Sequence, residues 1–316
     1  MKPLKYLFIS SMLFVATSCG NSWLDLEPST SVDTETSIKI LSDVEFTLNG
    51  IYSTMQSSDA YSGRLVYYGD VTGDDMQAVS STKRVANYYR FNFTKDDNPS
   101  SHWSYLYSII QNCNLILMNI DKLVIDEDDK AYRDDLKGEA LAIRGLALFD
   151  LTRIFGYPYL KDNGASLGVP IIEGLSTIDS KPTRNTVAQC YTKIIDDLTQ
   201  SLSLLGEKFN KGKINKWGAM VLLSRVYLYK GENANALKMA SDAIIGAEKN
   251  KYALWTNEDY PTAWGEDASA SKPGEVLFEI VNLTTDSPGK ESMGYLNSYD
   301  GYDDMCITCS FYQFLK

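Results

Sequence analysis

Residues 222–236 read Leu222-Leu223-Ser224-Arg225-Val226-Tyr227-Leu228-Tyr229-Lys230-Gly231-Glu232-Asn233-Ala234-Asn235-Ala236, and this stretch decides the fold. Leu223, Ser224 and Tyr227 mark one helical face, Gly231-Glu232-Asn233 forms a turn, and Ala236, Ala240 and Ala243 set small residues at helical spacing beyond it. That is tetratricopeptide spacing, in which small side chains let two antiparallel helices approach closely. The hairpin is expected over about 215–248. A single hairpin leaves an apolar face uncovered, so it needs stacked neighbours. The helical patterns at 135–155 and 187–205 supply them, as a second repeat interrupted by a long insertion.

Working outward, Gly138 to Phe155 is apolar around nearly its whole circumference, which predicts a helix buried on most sides. It ends at Gly156 before Tyr157-Pro158, where glycine and proline stop a helix. Thr186 with Gln189 has the form of a capping box. The apolar face behind it is Tyr191, Ile194, Ile195, Leu198, Leu202 and Leu205. A second box, Ser42-Asp43-Val44-Glu45, predicts a helix over 42–56 whose face is Val44, Leu48, Ile51, Tyr52 and Met55. Trp103, Leu106, Ile110, Cys113, Leu117 and Ile120 make another stripe, with Cys113 as a buried packing thiol. Asp126 to Asp129 reads as a solvated turn, since it lacks the spaced ligands and glycine of a calcium loop. After residue 250 the periodicity fades, leaving one expected short strand at 275–281. The expected fold is therefore all-α, a tetratricopeptide helical scaffold with an irregular, loop-rich face formed by about 60–102 and the segment beyond 250. Recognition surfaces sit on loops more often than on packed helices.

The first residues are of a different kind. Lys2 and Lys5 precede an apolar run from Tyr6 to Val15, and small residues Ala16, Thr17 and Ser18 stand before Cys19. The run is too short for a hydrocarbon core roughly 30 Å thick, so residues 1–18 read as a removable secretory signal. Cys19 stands where a lipoprotein is acylated, with residues 19–41 as tether and 42–316 as the folded domain. Multiple acyl chains would anchor it in the lipid of the outer membrane. Ala16 departs from the usual lipobox, where leucine is commonest.

Removing residues 1–18 takes two lysines from 30 basic residues and nothing from 41 acidic ones, which leaves a net charge of −13. Nucleic acid is excluded as a partner on that ground. Five cysteines are too few for a disulfide scaffold, and one histidine, His102, rules out multi-histidine metal sites and the usual histidine triads. Neither cofactor, metal nor catalytic residue is expected. Cys306-Ile307-Thr308-Cys309 has redox spacing but no partner pair for zinc, and reads as a local disulfide or two free thiols. Glu139, Arg144 and Arg153, on the buried helix, are expected to pair internally.

Taken in order, Cys19 with Trp23-Leu24-Asp25-Leu26-Glu27-Pro28, Leu48-Asn49-Gly50-Ile51-Tyr52, Asn112-Cys113-Asn114, Lys137-Gly138-Glu139-Ala140 with Arg144, Phe155-Gly156, and Leu222 to Gly231 form a pattern. It closely resembles the SusD/RagB family of Bacteroidetes outer-membrane lipoproteins, over essentially the whole chain. The resemblance implies a cell-surface lipoprotein that captures an oligosaccharide and passes it, uncleaved, to a SusC-like TonB-dependent transporter. Family members run well past this length, so it also implies that a C-terminal part is missing after Lys316.

Sugar capture needs aromatic faces to stack on pyranose rings and polar groups to bond the hydroxyls. Two clusters offer both: Arg84, Asn87, Tyr88, Tyr89 and Arg90, and Tyr295, Asn297, Tyr299, Asp300 and Tyr302. For each tyrosine, ligand contact and loop packing both stay open. Trp103 favours the core, while Trp255 and Trp264 allow either use. Peptide binding on the same scaffold is the alternative. A glycoside hydrolase, using a pair such as Asp74 with Asp75 or Asp303 with Asp304, is a weaker one, because hydrolysis needs opposed carboxylates that sequence does not reveal.

Overall fold

The computed structural model describes residues 37–73, 75–94, 99–177, 179–207, 212–263, 274–283 and 285–316. Met1–Lys39 and Ile40–Lys316 separate as two units, and the fold is that of the second. Cys19, most of the tether, Asp74 and Trp264 lie outside the described residues.

Among the described residues, six long helices make the frame. Helix α1 (Leu41–Met55) buries Val44, Leu48, Ile51 and Met55. Between it and the buried helix lies a segment expected to be irregular, but α2 (Arg64–Thr72), strand β1 (Met76–Ala78) and short α3 (Ala86–Tyr89) order much of it. Then come α4 (Ser100–Asn119), α5 (Lys130–Phe155), α6 (Val187–Leu204), α7 (Lys216–Lys230) and α8 (Asn233–Lys249). Beyond them are α9 (Tyr260–Ala263), α10 (Met293–Asn297), β2 (Met305–Ile307) and α11 (Cys309–Phe314).

Helix α5 is the axis of the fold. Every residue from Gly138 to Thr152 is buried, because α4 and α6 pack along it and α1 and α7 touch it as well. At Gly145 a Cβ would lie 3.0 Å from Leu198 Cγ, so glycine sets the approach of α5 to α6. Helices α7 and α8 close in the same way. Gly231 takes a left-handed φ of 83° at the turn, which glycine adopts without strain. Ser224 Oγ donates to Ala236 O at 2.8 Å, and Gly246 faces the Trp217 ring so closely that a Cβ would fall 2.0 Å from it. The two hairpins expected from the sequence are thus present, with 157–185 as the insertion between the first pair.

The Thr186–Gln189 box forms with both bonds: Gln189 N–H donates to Thr186 Oγ1 at 3.2 Å, and Thr186 N–H to Gln189 Oε1 at 2.9 Å. The other expected box does not. The first helix starts one residue earlier, with Ile40 as N-cap; Asp43 Oδ2 accepts the Ile40 N–H at 3.0 Å, and isoleucine has no side-chain acceptor to answer with. On α4 the apolar face is wider than the stripe read from sequence, since α1 and α5 flank it; Ile109, Leu115 and Ile116 are buried, while Trp103 and Leu117 are half-exposed. Cys113 is fully buried, which pushes its thiol up to about 12.

A strand at 275–281 is not formed. Side-chain amides take the place of a ladder: Asn215 Nδ2 donates to Leu277 O at 2.6 Å and Gln56 Nε2 to Val281 O at 2.5 Å. Strands β1 and β2 pair with each other instead, antiparallel, with Met76 opposite Ile307 and Ala78 opposite Met305.

Of the charges expected to pair internally, Arg144 and Arg153 find carboxylates, the first on another helix and the second on its own, whereas Glu139 meets a tyrosine hydroxyl. Arg144 makes a two-pronged pair with Asp197 on α6, Nε to Oδ2 at 2.8 Å and the terminal nitrogen to Oδ1 at 2.7 Å, and donates to Asn114 Oδ1 at 2.8 Å. Asn114 in turn donates to Ile172 O and Gly174 O at 2.8 and 2.9 Å. One guanidinium therefore ties α4, α5, α6 and the insertion together. Arg153 pairs with Asp150 on its own helix. Glu139 accepts the Tyr52 hydroxyl at 2.8 Å, and Tyr52 accepts the Ile214 N–H at 2.9 Å.

Candidate functional site

The β1–β2 ladder brings two segments more than two hundred residues apart onto one face. Residues 83–90 come from one and 290–304 from the other. Beneath them lies a small core of Tyr67, Val71, Val85, Tyr88, Leu296 and Met305, separate from the helical hairpins. On top, Arg84 Nε donates to Asp304 Oδ2 at 2.9 Å, and its guanidinium stands 4.0 Å from the centre of the Tyr302 ring. Glu291 approaches the same guanidinium at 3.6 Å, and Lys83 Nζ donates to Tyr302 O at 2.5 Å. Tyr295 meets Tyr302 edge to face, with centroids 5.2 Å apart and planes at 86°.

The turn that carries these rings folds tightly. Tyr302 N–H returns to Tyr295 O at 2.9 Å, Asp303 N–H to Ser298 O at 3.2 Å and Asp304 N–H to Leu296 O at 3.1 Å. Only glycine fits at 301, where a Cβ would sit 2.0 Å from Tyr295 O. Asp303 holds a left-handed φ of 51°, a conformation aspartate tolerates better than most residues. The result is an aromatic ridge carried on a hydrogen-bonded turn. Tyr299 stands 89% exposed at its tip, with Tyr302 and Tyr89 more than a third exposed.

The residues singled out from sequence fall into two groups. Arg84, Tyr295, Tyr299 and Tyr302 form or border this face, and Tyr89 is exposed on α3. Tyr88 does not: its ring is buried, edge-on to Tyr68 with centroids 5.3 Å apart and 6.4 Å from His102, so it supports the ridge from below. Asn297 Nδ2 donates to Met293 O at 3.0 Å, one turn back on its own short helix, and its Oδ1 is buried. Asn87 is half-buried. Asp304, considered as half of an acidic pair, is buried and neutralises Arg84. Lys83, Glu291 and Gly301 were missed, since their roles arise from contacts across the chain; Gly301 after Ser298-Tyr299-Asp300 carried a turn signal that could have marked it. Cys306 and Cys309 are free thiols.

Among the described residues, two of the larger clefts lie on the helical scaffold. One of about 570 Å³ is lined by Tyr61, Asp150, Arg153, Arg225, Glu275 and Phe278 among others. The other, of about 810 Å³, has an acidic wall with Asp135, Glu139 and Glu207 opposite Lys213. Neither holds a residue from the two tyrosine clusters. At the second, burial raises the Glu139 carboxyl to about 7, against the opposing pull of Lys213 and of the Tyr52 hydroxyl.

The structure is thus a tetratricopeptide-type helical scaffold bearing an aromatic ridge with polar groups around it. A family model described as starch-binding and associating with the outer membrane matches residues 22–228, and the chain belongs to this SusD-like family. Among solved structures, a Bacteroides vulgatus ATCC 8482 protein provisionally named a sugar binding protein is 82% identical, with a TM-score of 0.86 over 89% of this chain and 63% of that one. A SusD superfamily protein from Bacteroides thetaiotaomicron VPI-5482 is 38% identical, with a TM-score of 0.78 over 88% and 62%. The SusD-like protein P2 of Formosa agariphila is 28% identical over 95% of this chain and 57% of its own length. The chain spans about half the length of the curated relatives it matches.

Proposed function

We propose that the protein is a glycan-binding lipoprotein of the outer membrane, acylated at Cys19, that captures an oligosaccharide on the ridge of Tyr295, Tyr299 and Tyr302 and delivers it to a SusC-like TonB-dependent transporter. The observation that carries this reading is the convergence of the two tyrosine clusters on one face, pinned by Arg84 and Asp304. Exposed, pre-positioned aromatic rings lose little entropy on binding and offer flat apolar faces to the C–H side of a sugar ring. Arg84 and the Tyr302 hydroxyl stand where hydroxyl groups would be met. The starch-binding description of the family and the provisional sugar-binding name of the 82% identical relative support the ligand class. The family's association with the outer membrane supports the location, and the N-terminal apolar run with Cys19 supports the anchor.

Calorimetric titration of the purified protein with a panel of oligosaccharides and a panel of peptides tests the reading. Binding confined to oligosaccharides is expected, and binding confined to peptides would replace it with the RagB-like alternative. Metabolic labelling with a palmitate analogue, lost on Cys19→Ala, tests the anchor. Co-purification with a TonB-dependent barrel tests the partner.

A further inference from the structure

We infer that His102 makes the ridge acid-sensitive: on taking up a proton its ring loosens the small core beneath Tyr295 and Tyr302, and the face opens more often in acid while the helical hairpins stay closed. On the glycan reading above, which this deepens, apparent affinity follows the closed fraction of that face. His102 is the one histidine of the chain and is fully buried in the first turn of α4. Its ring lies edge-on to Tyr68, with centroids 5.7 Å apart, and 6.4 Å from Tyr88. Those two tyrosines meet each other edge to face at 5.3 Å. Tyr88 shares its core with Leu296 and Met305, which flank the turn that carries Tyr299 and Tyr302. Three rings thus join α4 to the ridge.

The two ring nitrogens decide which proton state the site accepts. Nδ1 lies 2.9 Å from Asp59 O, a carbonyl that only accepts, so Nδ1 donates and the neutral ring carries its proton there. Nε2 is buried with no hydrogen-bond partner. A second proton places an N–H donor on Nε2 with nothing to accept it, together with a charge held away from water. The groups facing the ring do not provide for that charge. The Asp59 carboxylate already pairs with Arg64 at 2.5 Å, Arg64 opposes a further cation, and Tyr68 and Tyr88 bring no carboxylate. The positive end of α4 opposes it too. Burial accordingly holds the His102 value below the ordinary 6.5, against the Asp59 carbonyl and carboxylate, which favour the proton. A ring kept neutral when closed and free to charge once exposed stabilises the closed ridge fully above 6.5, and that contribution is lost as pH falls below it. The raised Glu139 carboxyl has the opposite sign, so acid favours the helical frame there.

Hydrogen exchange of the full chain at about pH 7.5 and about pH 5.5, corrected for the intrinsic pH dependence of exchange, reads the opening through the Tyr302, Asp303 and Asp304 amides, which are bonded within the ridge turn. One histidine that charges near 6.5 when exposed bounds the effect at about tenfold one unit below that value. A loss of protection of at least about threefold in acid is expected in the ridge, with α7 and α8 keeping theirs. Equal ridge protection at the two pH values overturns the inference, and so does a His102 signal that titrates at or above 6.5 in spectra of the isotope-labelled parent. His102→Asn offers Asp59 O a neutral amide donor, and its ridge protection, whatever its level, is expected to differ less than about 1.5-fold between the two pH values. A threefold loss that persists in this variant, at about the parent's size, overturns the role given to His102. Maltohexaose at about 10 mM is expected to restore ridge protection in acid at least about threefold. Absence of that restoration overturns a starch-type ligand for this face, and the comparison of the two pH values without sugar still decides the inference.

Discussion

Arg84 and Asp304, 220 residues apart, are joined by a 2.9 Å hydrogen bond in which the arginine is partly exposed and the aspartate is nearly inaccessible. The same guanidinium covers the Tyr302 ring, so one side chain fixes both the buried anion and the aromatic surface above it. Removing the arginine strands the anion. Arg84→Ala is expected to lower stability by roughly 1–3 kcal/mol and to weaken oligosaccharide binding. Arg84→Lys should recover part of the stability but less of the binding, because an ammonium does not lie flat on a ring. Thermal unfolding and calorimetry on both variants check this; equal affinity in all three proteins would detach Arg84 from the site.

Tyr299 and Tyr88 separate binding from packing. Tyr299 is 89% exposed, so Tyr299→Ala should leave the unfolding temperature unchanged and reduce ligand affinity about tenfold, in line with about 1 kcal/mol or more for a lost stacking face. Tyr88 is in the core under the ridge, and Tyr88→Ala should cost about 3–5 kcal/mol of stability, as large-to-small core changes do. Chemical denaturation alongside titration distinguishes the two effects.

Gly301→Ala puts a methyl group against the Tyr295 carbonyl, 2.0 Å away before any shift. The turn must open, and Tyr295 and Tyr302 lose their edge-to-face contact. The expected result is lost ligand binding with far-ultraviolet circular dichroism unaltered, since the helical hairpins stand apart from this turn. Retained affinity would show that the ridge tolerates a different turn.

Glu139 makes stability depend on pH. Its folded-state value of about 7 exceeds the ordinary 4.5, so the folded protein holds this proton more tightly than the unfolded one. The stabilisation is complete below about 4.5 and is lost as pH rises through 7, amounting to roughly 3 kcal/mol. Glu139→Gln, which keeps an acceptor for the Tyr52 hydroxyl, should gain in unfolding temperature relative to the parent as pH rises from 5 to 8. Melting curves across that range check the sign; a constant difference would refute it.

Arg144→Ala should cost roughly 3 kcal/mol, because buried Asp197 loses both guanidinium bonds and keeps only Lys193 at 3.2 Å, and Asn114 loses the neighbour that orients it towards the insertion. Faster hydrogen exchange in 168–177 than in α7 and α8 would identify the insertion as the part released.

What the sequence by itself determined is the helical frame. Ala236, Ala243, Gly231 and the all-round apolar run of 138–152 record local geometry and burial, because small side chains and helical periodicity are properties of neighbouring positions. The Thr186–Gln189 box is local in the same sense. Where a reading depended on partners far away it was incomplete: Ser42 gave way to Ile40 as cap, the segment 275–281 met side-chain amides instead of a strand, and Tyr88 went inward while Tyr299, in a similar tyrosine-rich context, stayed out. Only the tertiary structure decided that Arg84 meets Asp304 and that the two tyrosine clusters share a face. The β1–β2 pairing that joins them spans more than two hundred residues, and long-range pairing of this kind leaves no period in the chain for a sequence pattern to reveal.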